Sequence, residues 1–318
     1  MTKYLITGAG GFVGCLLLNH LGTRNEPKIE VLALDVRSPR TAFPAFPFSF
    51  RFEAINLQDK ERLETAVATF KPDMLIHLAA MSSVAASWED PTGCISNNTQ
   101  IILNVLETVR LYCPRCRILA VGSAEVYNTG GRDEHSPPLV ETSPLHSVNP
   151  YALGRQAQEL IVKFYVEQFG LDIVSTRSFS HTGPGQGGHF AVAAFVQQLL
   201  NAKNSGEKTA VLKTGNTDLV RDFSDARDVV RAYDLLLLKG KSGEFYNVCS
   251  GRGVSLRKII ETAAGLLDLQ TVITVDPARL RPNDPNYIIG SPEKLRTQTG
   301  WTATYLLEQT LRDMLAVR

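Results

Sequence analysis

The chain has 318 residues, 44% hydrophobic and 20% charged, so it can bury a sizeable core and does not carry the charge of a disordered segment. Lys and Arg number 33 against 32 Asp and Glu, a net charge of +1, which excludes nucleic acid or an anionic membrane as the main partner. Five cysteines without framework spacing suit a reducing compartment, and no run approaches roughly 18 consecutive apolar residues. With no charged-then-apolar leader at the N-terminus, the expectation is a soluble cytoplasmic protein.

In chain order, the pattern predicts a strand at Tyr4–Thr7, a helix at Phe12–Arg24, a strand at Glu30–Leu34, a helix at Lys60–Phe70 and a strand at Met74–Leu78. A helix at Cys94–Tyr112, a strand at Ile118–Gly122, a helix at Tyr151–Phe169 and a strand at Ile173–Thr176 follow. Such alternation means right-handed βαβ crossovers, and so an α/β fold with a Rossmann-type, doubly wound parallel sheet. After Ser178 the pattern predicts a helix near Ala191–Lys203, a hairpin-like stretch at Leu212–Asp222 and a helix from Asp225 to Leu238. A strand at Phe245–Val248, a helix at Leu256–Leu267, turns over Pro277–Pro292 and a helix near Leu306–Val317 complete the chain. The expected division is a dinucleotide-binding domain of residues 1–178 plus 224–250 and a smaller lobe of 179–223 plus 251–318.

Gly8-Ala9-Gly10-Gly11-Phe12-Val13-Gly14 follows the first strand and opens the first helix. Gly8 permits the tight turn, Gly11 lets backbone approach a pyrophosphate, and Gly14 lets helix pack on sheet. Asp35 ends the second strand 21 residues after Gly14, a position suited to gripping ribose hydroxyls. Arg37 could pair with a 2′-phosphate that Asp35 would repel, so NAD(H) is favoured slightly over NADP(H) and dual use stays open.

Tyr151 and Arg155 are four apart on a predicted helix and share one face. A phenol with a free pKa near roughly 10 gives or takes a proton poorly at neutral pH, and a fixed positive charge beside it favours the phenolate. Ser123, just past a strand's carboxyl end, could position a carbonyl, and the set would suit reversible alcohol/ketone chemistry with a nicotinamide. By spacing alone a surface Tyr–Arg pair would be the commoner explanation, and the glycine fingerprint shifts the balance.

The fingerprint, His77-Leu78-Ala79-Ala80, Ser123-Ala124-Glu125-Val126-Tyr127 and the Pro150-Tyr151 helix resemble the extended short-chain dehydrogenase/reductase family. The stretches Ser82-Ser83-Val84, Phe179-Ser180-His181-Thr182-Gly183-Pro184, Val220-Arg221-Asp222-Phe223 and Arg279-Leu280-Arg281-Pro282 are similar to its GDP-4-keto-6-deoxy-D-mannose reductases. The resemblance implies that Tyr151 protonates the oxygen at C4 of a GDP-linked 4-keto-6-deoxy-hexose (or heptose analogue) and that Ser123 hydrogen-bonds the same oxygen. It implies cofactor contacts at Gly8, Gly11, Phe12, Val13, Gly14, Asp35, Arg37, Asn56, Leu57, Leu78, Ala79, Ala80, Asn98, Tyr151 and Arg155, with Asp59 meeting the adenine. Substrate contacts fall at Ser82, Ser83, Val84, Ser123, Glu125 and Ser180, with Arg221 and Arg281 on the diphosphate. Glu125 matches the carboxylate that dehydratase relatives use as a base at C5. A homodimer through a four-helix interface is expected, on helices carrying Ile101, Leu106, Ile161 and Phe164.

Two positions depart from the family pattern: Arg155 stands where relatives carry Lys, and Ser180 where they usually carry Asn. Arginine keeps the charge in a fixed fork. The alternatives to a reductase are an epimerase or dehydratase that retains its nucleotide, and a catalytically silent dinucleotide-binding protein. No metal is expected; Cys113-Pro114-Arg115-Cys116 has CxxC spacing without a second pair.

Overall fold

The computed structural model describes residues 1–24, 28–37, 43–280 and 284–316. Its first half runs β1 (Thr2–Thr7), α1 (Phe12–Thr23), β2 (Ile29–Asp35), β3 (Ser49–Ala54), α2 (Lys60–Phe70), β4 (Met74–His77), α3 (Val84–Glu89), α4 (Pro91–Tyr112), β5 (Arg117–Ser123), α5 (Pro150–Phe169) and β6 (Ile173–Ser178). The second half runs β7 (Ser180–Thr182), α6 (Ala191–Asn204), β8 (Thr209–Thr214), β9 (Val220–Asp225), α7 (Ala226–Lys239), β10 (Phe245–Val248), β11 (Gly253–Ser255), α8 (Leu256–Gly265), β12 (Gln270–Val275), β13 (Tyr287–Ile288), α9 (Glu293–Thr299) and α10 (Leu307–Ala316).

Seven strands form one parallel sheet in the order β10-β6-β5-β4-β1-β2-β3. Its central strands are buried on both faces, which is why they read as continuous apolar runs. Successive residues serve opposite layers. Tyr4 and Ile6 of β1 pack with Leu17 and Leu21 of α1 and Leu236 of α7, whereas Leu5 packs with Leu63 of α2, Leu106 of α4 and Val162 of α5. Helix starts are set by local chemistry. Asp90 and Asn149 cap α4 and α5 by accepting from Gly93 and Ala152, and Pro91 and Pro150 occupy a first-turn position where no amide partner is needed. A third core, including Leu199, Leu212, Ile260 and Leu311, joins α6, α8 and α10 around β8. No described helix is long and apolar enough to cross a membrane.

The stretch expected to be a hairpin is not one. β8 pairs in parallel with β12, while β9 pairs with β7, β11 and β13. The turn-like Gly215-Asn216 suggests a reversal, but the Thr217 and Leu219 carbonyls accept from Arg257 and Leu256 at 2.8 and 3.1 Å. Those bonds dock the connection on the start of α8 and carry β9 away from β8. The strands β3, β7, β11, β12 and β13 and the short helices α3 and α9 are additions to the predicted elements. β3 is a sheet edge whose Phe50 and Phe52 face α1 while Arg51 lies in solvent. The predicted last helix is described as far as Ala316, so its end at Val317 lies outside the described residues.

Candidate active site

Strand order reverses between β1 and β4, and at their carboxyl ends a cleft of about 1870 Å³ opens. Gly8 leaves β1 with φ +72°, and a Cβ there would lie 2.7 Å from the Ala79 amide nitrogen. A Cβ on Gly14 would lie 2.5 Å from the Gly8 carbonyl oxygen, so helix and turn meet only because position 14 is glycine. Gly11 begins α1 with no side-chain cap, so the helix's first amides are left for an anion in the cleft. Asp35 closes β2 and accepts from the Gly10 amide at 3.0 Å through Oδ2. Phe12, Val13, Asn56, Leu57, Leu78, Ala79 and Ala80 line the same end. The turn, free helix terminus and carboxylate fit a dinucleotide.

Three residues expected to contact the cofactor do not line the cleft. Asn98 is buried with its amide spent on the loop after β4: Oδ1 accepts from the Met81 amide at 2.9 Å and Nδ2 donates to the Met81 carbonyl at 3.1 Å. Asp59 caps α2 by accepting from Arg62 at 3.2 Å and is not among the cleft's lining residues. The Arg37 side chain is exposed and does not line the cleft.

At the other end Tyr151, in the first turn of α5, and Arg155, one turn on, are 7% and 4% exposed. Arg155 Nε donates to the Tyr151 phenol oxygen at 3.3 Å, and Nη1 donates to the Val121 carbonyl at 3.0 Å and to Gln158 Oε1 at 2.7 Å. No carboxylate pairs with this buried guanidinium among the described residues. Burial and the Arg155 charge hold His77 down to about 3, so the imidazole beside the site is neutral. Its Nδ1 lies 2.8 Å from Thr7 Oγ1. Burial pushes the Tyr233 phenol up, and that hydroxyl pairs with Ser178 Oγ at 2.7 Å, which leaves Tyr151 as the phenol bonded to Arg155. Ser123 ends β5, where its Oγ accepts from the Glu125 amide at 3.3 Å and keeps its proton to donate.

Beyond the phenol the cleft is lined by Ser82, Ser83, Val84, Glu125, Ser180 and Arg221. Ser83 caps α3, and Glu125 Oε2 accepts from Asn149 Nδ2 at 3.1 Å. Arg221 Nη2 pairs with Asp284 Oδ1 at 2.7 Å. Arg281 lies outside the described residues. Cys113 and Cys116 are free thiols whose pKa values burial raises, Cys113 to about 11, and no metal-ligating cluster occurs among the described residues.

The sequence profile described as GDP-mannose 4,6 dehydratase matches residues 5–314. The chain belongs to this family of extended short-chain dehydrogenases/reductases. Within it, the chain is 31% identical over 317 residues to a GDP-6-deoxy-D-mannose reductase of Pseudomonas aeruginosa, covering 99% of this chain and 97% of that protein. A GDP-mannose 4,6-dehydratase of Yersinia enterocolitica is 24% identical, covering 99% and 93%. The fold superposes on the structure of RMD from Pseudomonas aeruginosa complexed with NADPH with a TM-score of 0.84 at 29% identity, covering 99% and 98%. It superposes equally on a Thermus thermophilus UDP-glucose 4-epimerase in complex with NAD, at 0.84 and 28%, again covering 99% and 98%. This member of the GDP-mannose 4,6-dehydratase family is thus an NAD(P)-dependent enzyme.

Sequence reasoning missed Gln158, Asn149 and Asp284 as parts of the site. Gln158 lies seven residues after Tyr151, two helical turns along the same face, and extending the spacing argument would have found it. Asn149 before a proline carries a helix-start signal. Asp284 meets Arg221 across 63 residues and leaves no local sign.

Proposed function

We propose that the enzyme reduces the C4 ketone of a GDP-linked 4-keto-6-deoxy-hexose, or a close heptose analogue, at the expense of NADH or NADPH. The observation that carries this reading is the Tyr151–Arg155 contact at the inner end of the cleft, with a buried cation that no carboxylate among the described residues neutralises. Leaving such a charge unpaired is costly unless a phenolate or a bound phosphate or ribose uses it.

Bound NAD(P)H would supply hydride to the C4 carbon. Tyr151 donates its phenolic proton to the C4 oxygen as that oxygen gains charge, and Ser123 donates a hydrogen bond to the same atom. Arg155 stays protonated and stabilises the phenolate left behind. The first amides of α1 would hold the pyrophosphate, and Asp35 would accept from ribose hydroxyls. Arg221 and Arg281 would hold the sugar nucleotide's diphosphate. In this reading residues 1–178 with 224–250 carry the dinucleotide and 179–223 with 251–318 the sugar nucleotide, in a homodimer built on α4 and α5.

A dehydratase would need both a base at C5 and an acid for the departing hydroxyl. Glu125 supplies one carboxylate, held by Asn149, and its neighbours Ala124 and Val126 are buried apolar residues. That arrangement favours reduction. The test is a screen of NADH and NADPH oxidation against GDP-, dTDP-, UDP- and CDP-linked 4-keto sugars. Stoichiometric oxidation with the GDP sugar is expected. Turnover without net oxidation, by a protein purified with tightly held oxidised nucleotide, would favour an epimerase or dehydratase instead.

A further inference from the structure

Gln158 follows Arg155 on the inner face of α5 and is 3% exposed. Its Oε1 accepts from Arg155 Nη1 at 2.7 Å, while its Nε2 donates at 3.1 Å to the Val121 carbonyl, the same oxygen that accepts from Nη1 at 3.0 Å. The β4–β5 ladder ends with His77 opposite Ala120, so this carbonyl stands just past its last pair. Both hydrogens of Nη1 are thereby used, and the Nε hydrogen is committed to Tyr151. Nη2 makes no protein hydrogen bond among the described residues, and Arg155 lines the cleft. A guanidinium is planar and rigid, so gripping one corner decides where the other two nitrogens point. A lysine ammonium has freely rotating donors on one atom and needs no such grip.

We infer that Gln158 is a positioning residue: with the Val121 carbonyl it clamps the Nη1 corner of Arg155, so that Nε faces the Tyr151 phenol and Nη2 faces the bound nucleotide. Arg155 and Gln158 form one unit that does the work of a single lysine. The inference rests on reading Tyr151 and Arg155 as the proton-donating pair.

The test is a double-mutant cycle of the parent, Gln158→Met, Arg155→Lys and both together. NADPH and NADH affinities are measured by nucleotide fluorescence without substrate, and then kcat and KM. Gln158→Met should weaken nucleotide binding about tenfold in the parent and less than about twofold in the Arg155→Lys background, with kcat following the same pattern. Gln158→Leu repeats the cycle should the methionine variant not fold. A packing role alone would give equal losses in both backgrounds, and equal losses, or none in either, overturn the clamp. Coupled nucleotide binding in a protein that turns over no 4-keto sugar would defeat the reductase reading and leave the clamp standing. Normal reductase turnover with additive losses would do the reverse.

Discussion

The Tyr151 phenol oxygen accepts from Arg155 Nε at 3.3 Å, and the guanidinium that makes this bond has only neutral partners among the described residues. Its full charge is therefore available to the phenol. Tyr151→Phe should lose about 10²–10⁴ in rate, because in this account the phenol gives the C4 oxygen its proton whereas Ser123 gives it a hydrogen bond. Nucleotide affinity should barely change. Ser123→Ala should cost less, since it removes a hydrogen bond and not the proton. Turnover of Tyr151→Phe near that of the parent would remove Tyr151 from the mechanism.

Asp35 presents one carboxylate oxygen to the Gly10 amide at 3.0 Å, which holds the carboxylate against the glycine turn. Asp35→Ala should shift preference toward NADPH by relieving repulsion of a 2′-phosphate worth about 1–2 kcal/mol, roughly tenfold in affinity. The ratio of NADH to NADPH dissociation constants reads this directly. An unchanged ratio would mean that Asp35 does not meet the ribose.

Arg221 lines the cleft with little exposure, its Nη1 on the Val220 carbonyl at 2.9 Å and its Nη2 on Asp284 at 2.7 Å, and a diphosphate would take the donor hydrogens that remain. Removing a charged hydrogen bond of about 2 kcal/mol should raise KM in Arg221→Ala by more than about tenfold. The change in kcat should be smaller, because ground state and transition state both use this contact. A fall confined to kcat would place Arg221 in a different role.

His77 titrates near 3 when folded, against an ordinary 6.5, because burial and then the Arg155 charge oppose its protonation. Between those values the unfolded chain binds a proton that the folded chain refuses, so the contribution is complete above pH 6.5 and is lost as the pH falls toward 3. The slope from this one group approaches about 1.4 kcal/mol per pH unit. Half-buried His181, also shifted down by desolvation, adds in the same direction. His77→Gln should flatten the acid fall in unfolding free energy between about pH 6 and 5, before carboxylates protonate. Denaturant titrations giving equal slopes for parent and variant would contradict this.

On α5, Leu160 and Phe164 are 64% and 53% exposed, and on α4 Leu111 is 48% exposed. Of the residues expected to mark a dimer face, Ile101 and Leu106 are buried in the core, Ile161 is partly buried against it, and Phe164 alone is exposed. If two copies join through these helices, Leu160→Glu with Phe164→Glu should yield a monomer in sedimentation without lowering the melting temperature of the monomer fold. A parent that sediments only as a monomer at micromolar concentration would rule the dimer out.

The parts of this enzyme legible in its sequence are those whose chemistry is local. The glycine turn is readable because Gly8 and Gly14 have no room for a Cβ, and the Tyr151–Arg155 pair because four residues make one helical turn. The central strands announce themselves through burial on both faces. β3 and β12 do not, since an edge strand with one wet face owes its existence to a partner far along the chain: Thr209 for Gln270, Glu30 for Ser49. Resemblance alone assigns Asn98 to the cofactor; in the structure its amide makes two bonds to Met81.

The central claim is net hydride transfer from free NAD(P)H to C4. Its most direct measurement uses NAD(P)H deuterated at the transferable position, a GDP-linked 4-keto-6-deoxy-hexose and many turnovers, followed by mass and proton spectra of the sugar. The account predicts one deuterium at C4 in every product molecule and one nicotinamide oxidised for each. Product formed without label at C4 would mean that hydride is recycled within the site, and would contradict the reductase assignment.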